Sequence, residues 1–198
     1  MNSKKIILLS AIIVFIITVS GISYFIWRDQ SSQIPDGLIF QTSENNEYRF
    51  DQSNKKLKLI EFMYTHCPDV CPTTTQKMVL LKNDLIESGI YGKKVEFISV
   101  TIDPYRDTVD VMADYAKAFN AHHDKHWHFL TGDSKNTKAL ADTFNFLYND
   151  PGNGFYTHTT FTYLVDENNQ FVSKFPMGEE FNKEKVFQTI MDESEDLE

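Results

Sequence analysis

Residues Ile6 to Trp27 form an almost unbroken apolar run, interrupted only by small or hydroxyl residues such as Ser10, Thr18, Ser20 and Gly21. A helix rises about 1.5 Å per residue, so roughly 20 apolar residues cross a bilayer core. The run therefore predicts one N-terminal transmembrane helix over residues 6–27 and takes this stretch out of any globular core. A cleaved signal peptide has an apolar stretch of only about 7–15 residues before a small-residue cleavage site. Here Ile22, Tyr24, Phe25, Ile26 and Trp27 continue the run, with aromatics where an interfacial belt is expected. No cysteine lies near its end, which excludes a lipoprotein cleavage site. Lys4 and Lys5 precede it and stay cytoplasmic by the positive-inside rule. The expected location is thus the cell membrane, single-pass, with the domain on the extracytoplasmic side.

Residues 1–27 are read as the anchor, 28–36 as a polar linker, 37–192 as one folded domain and 193–198 as an acidic tail. The net charge of −9 argues against nucleic-acid binding, which needs clustered Lys and Arg. Much of it lies in Asp192-Glu193-Ser194-Glu195-Asp196-Leu197-Glu198, most simply a solvated end.

Within the domain, short strands are expected around 38–41 and 48–50, with Glu44-Asn45-Asn46 as the turn between them. Leu57 to Thr65 has few polar interruptions, as a central buried strand requires. Cys71 leads into a helix whose stripe is Met78, Leu81, Leu85 and Ile86 and whose stop is Gly89. A strand over 95–102 ends at Asp103-Pro104, and Asp107 or Thr108 caps a helix to about Phe119. Then come a strand at 127–130, a helix that Ser134 caps and that runs to about Asn145, a hairpin of 155–165 with 171–175, and a helix over 182–192. This order matches an α/β thioredoxin-like sandwich with a mixed central sheet.

Cys67 and Cys71 are the only cysteines, and a bridge across four positions closes too small a loop to serve as a staple. Chemistry explains them better. They sit at i and i+4 in a loop entering a helix, where backbone N–H groups and the helix dipole favour thiolate. Two thiolates suit Cu(I) or zinc, and they also oxidise to a disulfide. A thioredoxin-type redox pair has two intervening residues, whereas Pro68, Asp69 and Val70 make three, which leaves room for a bridging ion. Structural zinc needs two further ligands at matched spacing, and no second cysteine pair exists.

Phe62-Met63-Tyr64-Thr65-His66-Cys67-Pro68-Asp69-Val70-Cys71-Pro72-Thr73-Thr74 resembles the signature of the Sco/SenC family of copper chaperones. The likeness continues through Asp103-Pro104-Tyr105-Arg106-Asp107-Thr108 and His158-Thr159-Thr160-Phe161. It implies a thioredoxin-like domain on a single N-terminal anchor, with two cysteines and a distant histidine binding one copper ion. It also implies a role in assembling the dinuclear copper centre of cytochrome c oxidase. The expected partners are the copper-bearing subunit of that oxidase and a copper donor chaperone. Met63 departs from the family, which generally has glycine there; packing is the favoured reading.

Cu(II) prefers a nitrogen ligand beside the sulfurs. Of the six histidines, His158 follows a Gly-rich loop and opens a strand, so its ring can fall over the sheet end near the cysteines. A lone histidine is more often structural, and the residues alone leave His158 open; the resemblance selects it as the third ligand. His66, next to Cys67, is expected to support the site rather than ligate. His122, His123, His126 and His128 look metal-binding in isolation, but they read as a surface loop entering a strand. Asp103 and Asp107 are either turn and cap residues or carboxylates that orient His158 or a partner, with Arg106 able to pair with both. Glu61, six positions before Cys67, is either solvent-facing or a buried acid that relays a proton to the cysteines.

Two functions are therefore expected to compete for the same sulfurs. The first is copper carriage, which requires no covalent turnover and is not enzymatic in the strict sense. The second is a thiol–disulfide oxidoreductase that reduces an acceptor's cysteines, with Cys67 as nucleophile. A peroxide-consuming or redox-sensing protein is a weaker third reading, because no dedicated surround for a lone activated cysteine is evident.

Overall fold

A computed structural model describes residues 12–21, 33–53, 55–195 and 197. Residues 12–21 are helical. No helix among the described residues is long and apolar enough to cross a membrane. The expected span over 6–27 begins and ends outside the described residues.

The folded unit starts at Ile34 rather than at residue 37. Ile34 is 2% exposed and its N–H donates to the Asn169 carbonyl, so an apolar anchor closes what the sequence suggests is linker. From there the elements are β1 (Ile39–Thr42), β2 (Glu47–Arg49), β3 (Leu57–Met63), α1 (Val70–Glu87), β4 (Val95–Thr101) and α2 (Val109–Ala118). They continue with β5 (Trp127–Gly132), α3 (Ser134–Thr143), β6 (Tyr148–Asn149), β7 (Thr157–His158), β8 (Phe161–Val165), β9 (Phe171–Pro176) and α4 (Lys183–Glu195).

The main sheet runs β2-β1-β5-β4-β3-β8-β9. Its centre, β3, β4 and β5, is parallel, and the flanking pairs are antiparallel, which makes the sheet mixed as expected. Every residue of β3 and β4 is buried, as strands covered on both faces must be. On one face Phe62 stacks against Phe146 at 4.5 Å and meets Phe144 and Tyr163 edge-on. On the other, Glu61, Ser99 and Trp127 look toward α1 and α2 through Thr75 and Tyr115. Alternation along β3 thus sends aromatic carbon one way and a carboxylate the other, and Glu61 is fully buried.

Local signals act as their chemistry dictates, with small offsets. Asn45 adopts a φ of 62° in the β1–β2 turn and Gly89 a φ of 78° just beyond α1. Thr108 caps α2 through Val111 N–H, while Asp107 turns inward instead. Asp133, not Ser134, caps α3, because its carboxylate reaches Asn136 N–H at 2.6 Å. α4 runs to Glu195, and Ser194 is buried against the domain.

One larger difference matters for the site. The expected strand over 155–165 is broken at Thr159-Thr160, and His158 belongs to a separate two-stranded ribbon, β6 with β7, pairing Tyr148 with His158. Thr159 causes the break, since its N–H donates to Leu147 O at 2.8 Å while its hydroxyl accepts from Leu147 N at 3.0 Å. The ribbon carries His158 across the end of the sheet.

Candidate metal centre

The chain leaves β3 at Met63 and passes through Tyr64-Thr65-His66-Cys67-Pro68-Asp69 into α1. Cys67 N–H donates to Tyr64 O at 3.1 Å, which closes a tight turn and swings its sulfur toward the start of the helix. There Cys67 Sγ accepts a hydrogen bond from Cys71 N–H at 3.4 Å. The sulfur occupies the role that a Ser or Asp oxygen usually plays at a helix N-terminus, and Asp69 makes no such cap with its own side chain. Spacing of four residues therefore does two things at once: it puts both sulfurs on one face, and it lets the first sulfur cap the helix that bears the second. Cys71 is buried and Cys67 half-buried, and both are free thiols.

His158 reaches the same point from the ribbon. Its Nδ1 lies 2.7 Å from the Thr159 carbonyl, which can only accept, so Nδ1 carries a proton there and Nε2 is the nitrogen left for the Cys67 sulfur. Phe146 stacks on the imidazole at 5.8 Å and Tyr64 meets it edge-on at 6.0 Å, which limits its rotation. The ligand atoms of Cys67, Cys71 and His158 all lie within 4.8 Å of one another. Among the described residues no other group of three or more His, Cys, Asp or Glu ligand atoms converges so closely. A cavity of about 470 Å³ opens onto this point, lined by Tyr64, Cys67, Pro68, Phe155, Tyr156 and His158 among others.

The charges follow from these contacts. A hydrogen bond from the Cys71 thiol, opposed by burial and helped by His158 and two backbone N–H groups, pushes the Cys67 thiol down to about 4. Cys71 moves the other way, raised by its bond to the Cys67 sulfur and by burial. Burial pulls His158 down, but its bonds to Cys67 and to the Thr159 carbonyl outweigh this and leave it raised. The resting pair is thus one half-buried thiolate and one buried thiol, and a soft cation held by both sulfurs would require loss of the second proton.

The four supporting candidates separate into different roles. Asp107 is fully buried and accepts from Thr65 N–H at 3.0 Å and from the hydroxyls of Thr65 and Thr101, pinning the cysteine loop to the end of β4. Asp103 accepts from Tyr156 OH at 3.4 Å and from Arg106 Nε, and so faces the histidine side. His66 is exposed and stands 3.3 Å from Thr65 Oγ1, outside the converging group. Glu61 accepts from Thr75 at 3.2 Å and Ser99 at 3.0 Å; Thr75 in turn donates to the Cys71 carbonyl at 2.9 Å. Burial, opposed by those two hydroxyls and reinforced by the Cys67 charge, pushes the Glu61 carboxyl up to about 8.

Met63 is fully buried in the core, in keeping with packing. The histidines at 122–128 do not gather: His122 and His123 lie ring to ring at 4.0 Å, while His128 turns toward Glu96 at 3.9 Å. Sequence reasoning overlooked Tyr64, Tyr156, Phe146 and Thr75. Only Thr75 carried a legible signal, lying one helical turn after Cys71; the aromatics act through the ribbon, which no periodicity announces.

The SCO1/SenC family model matches residues 32–194. The SCO2-like protein of Rickettsia typhi is 35% identical over 147 residues, which cover 70% of this chain and 69% of that protein. Among solved structures, ScoI of Bradyrhizobium japonicum with copper bound superposes with a TM-score of 0.64 at 27% identity, covering 80% of this chain and 98% of that one. Copper-bound yeast Sco1 superposes with a TM-score of 0.66 at 25% identity, covering 82% and 90%.

Proposed function

The chain belongs to the SCO1/SenC family, and from that premise we propose that it binds one copper ion through Cys67, Cys71 and His158 and delivers it to the copper-bearing subunit of cytochrome c oxidase during assembly. The observation that carries this reading is the convergence of two sulfurs and one imidazole nitrogen within 4.8 Å. That donor set fits copper in both valences: thiolates hold Cu(I), and the nitrogen adds what Cu(II) prefers. The half-buried Cys67 and His158 face the cavity while Cys71 stays covered, so an acceptor's thiolate or imidazole can replace the outer ligands one at a time. Transfer is then ligand exchange with no covalent turnover, and a donor chaperone loads the site by the reverse order of steps.

Residues 6–27 would hold the domain at the membrane with Lys4 and Lys5 inside and the copper centre outside, where both donor and acceptor are met. The test of the site is a copper titration of the reduced protein in each valence. His158→Ala is expected to weaken Cu(II) by about 100-fold or more while leaving Cu(I) bound by the sulfurs. Cu(II) binding equal to the parent's would remove His158 from the ligand set.

The asymmetry of the cysteines favours a second reading, reduction of an acceptor's disulfide. The Cys67 thiolate attacks one acceptor sulfur and a mixed disulfide forms. Cys71 then loses its proton, displaces the acceptor as a dithiol, and leaves a Cys67–Cys71 disulfide that an external thiol reductant must reopen. Turnover against a disulfide substrate that survives His158→Ala and vanishes in Cys67→Ser would support it.

A further inference from the structure

The ribbon that carries His158 is tied to the turn at residues 103–107 through the Asp103–Arg106 pair. The loop between β6 and β7 is folded on itself by Asp150, whose Oδ1 accepts from Gly152 N–H at 2.8 Å and Gly154 N–H at 3.2 Å. One outward tie is Arg106, whose Nη2 donates to the Gly154 carbonyl at 2.7 Å; a second is Tyr156, whose hydroxyl donates to Asp103 at 3.4 Å. Arg106 Nε donates to Asp103, which is itself 2% exposed and held by its own N–H on Thr101 Oγ1 at 3.0 Å. The guanidinium also lies 6.0 Å from the Tyr156 ring, and Tyr156 packs on Tyr64 at 5.3 Å, beside the imidazole.

Gly154 supplies an independent sign that this contact is built. Its φ is +79°, and a Cβ placed there would stand 2.6 Å from Arg106 Nη1. The guanidinium occupies the space that any side chain at 154 would need. One short turn, residues 103–107, therefore grips both halves of the donor set: Asp107 holds the cysteine loop through Thr65, and Arg106 holds the histidine loop through Gly154.

We propose that Arg106, aimed by Asp103, is a positioning residue that clasps the Gly154 loop and so sets the reach of His158 toward the two sulfurs. The proposal rests on the copper site described above. Lysine cannot replace the clasp, because a single ammonium cannot bond Asp103 and the Gly154 carbonyl in the forked geometry that guanidinium provides.

The test pairs Arg106→Ala with Gly154→Ala, which leaves the arginine in place and displaces its guanidinium. Both are compared with the parent and with His158→Ala. In the reduced, metal-free proteins, amide hydrogen exchange over residues 152–158 is expected to accelerate by about tenfold or more, with α1 unchanged. With copper ions as the probe, Cu(II) affinity is expected to fall by about 10- to 100-fold, the range for outer partners of a metal-bound histidine. The thiolate-to-Cu(II) absorption band should shift toward that of His158→Ala, and Cu(I) affinity should hold within about threefold, since sulfur carries it.

Parent-like exchange and spectrum in both variants would overturn the clasp. If Arg106→Ala does not fold, Arg106→Lys decides, since a lysine keeps the charge and loses the fork, and parent-like exchange there overturns it. A parent whose Cu(II) spectrum matches that of His158→Ala would instead overturn the copper site, and the exchange rates would still decide whether Arg106 holds the loop.

Discussion

At Glu61 a carboxyl sits where apolar carbon is the rule, and its protonation ties stability to pH. Its native pKa of about 8 lies above the ordinary 4.5. Below the ordinary value both states are neutral at this residue. Between the two values the unfolded chain gives up its proton and the native one keeps it, so this contribution to stability is lost as pH rises toward and through 8. The difference amounts to roughly 3–5 kcal/mol. Urea unfolding of the reduced parent and Glu61→Gln at pH 5 and pH 9 isolates it, because the opposite contribution of Cys67 is common to both. The parent should lose stability relative to the variant on going to pH 9, and parallel curves would contradict the burial argument. Cys67 is depressed to about 4 and gives the complementary check. Alkylation of the reduced protein should change little in rate from pH 8 down to about 5, whereas an ordinary thiol would slow about tenfold per unit. Both residues were visible in the sequence as candidates. What spacing could not say was which face of β3 Glu61 occupies, because a strand buried on both faces has no wet side for a carboxylate to mark.

The elements that build the site were legible to different degrees, and the difference is one of range. The strand–loop–helix unit of β3, the cysteine loop and α1 is local, and its start, stop and stripe could be read from Leu57 to Gly89. The ribbon was not, since Thr159 breaks the expected strand by bonding to Leu147, twelve residues earlier, and no alternation records a contact of that kind. The same holds for Asp107, read either as a turn and cap residue or as a carboxylate orienting His158 or a partner; it leaves capping to Thr108 and fastens the loop before Cys67. Asp107→Asn keeps the shape but turns an amide N–H₂ toward groups that themselves donate. It is expected to cost about 1–3 kcal/mol in denaturant unfolding of the reduced protein. It should also make the Thr65–Cys67 amides exchange faster; an unchanged midpoint and unchanged exchange would reduce Asp107 to a turn residue.

For the whole molecule, a sheet of seven strands holds two distant segments, one on the end of β3 and one on a ribbon beyond β6, over a single point. The fold class was readable from the order of elements, while the convergence was not, because 91 positions separate Cys67 from the imidazole of His158. If residues 6–27 span a bilayer, the full chain should stay with membranes through alkaline extraction, and its domain should be digested by protease added from the extracytoplasmic side only. Release into the soluble fraction would count against the anchor. The donor set itself is tested most directly by the X-ray absorption spectrum at the copper edge of the reduced protein loaded with one equivalent of Cu(II). Two sulfur neighbours and one imidazole are predicted, with the imidazole lost in His158→Ala and sulfur lost in Cys67→Ala and Cys71→Ala. A first shell of nitrogen and oxygen alone, or one that the three substitutions leave untouched, would contradict the copper centre.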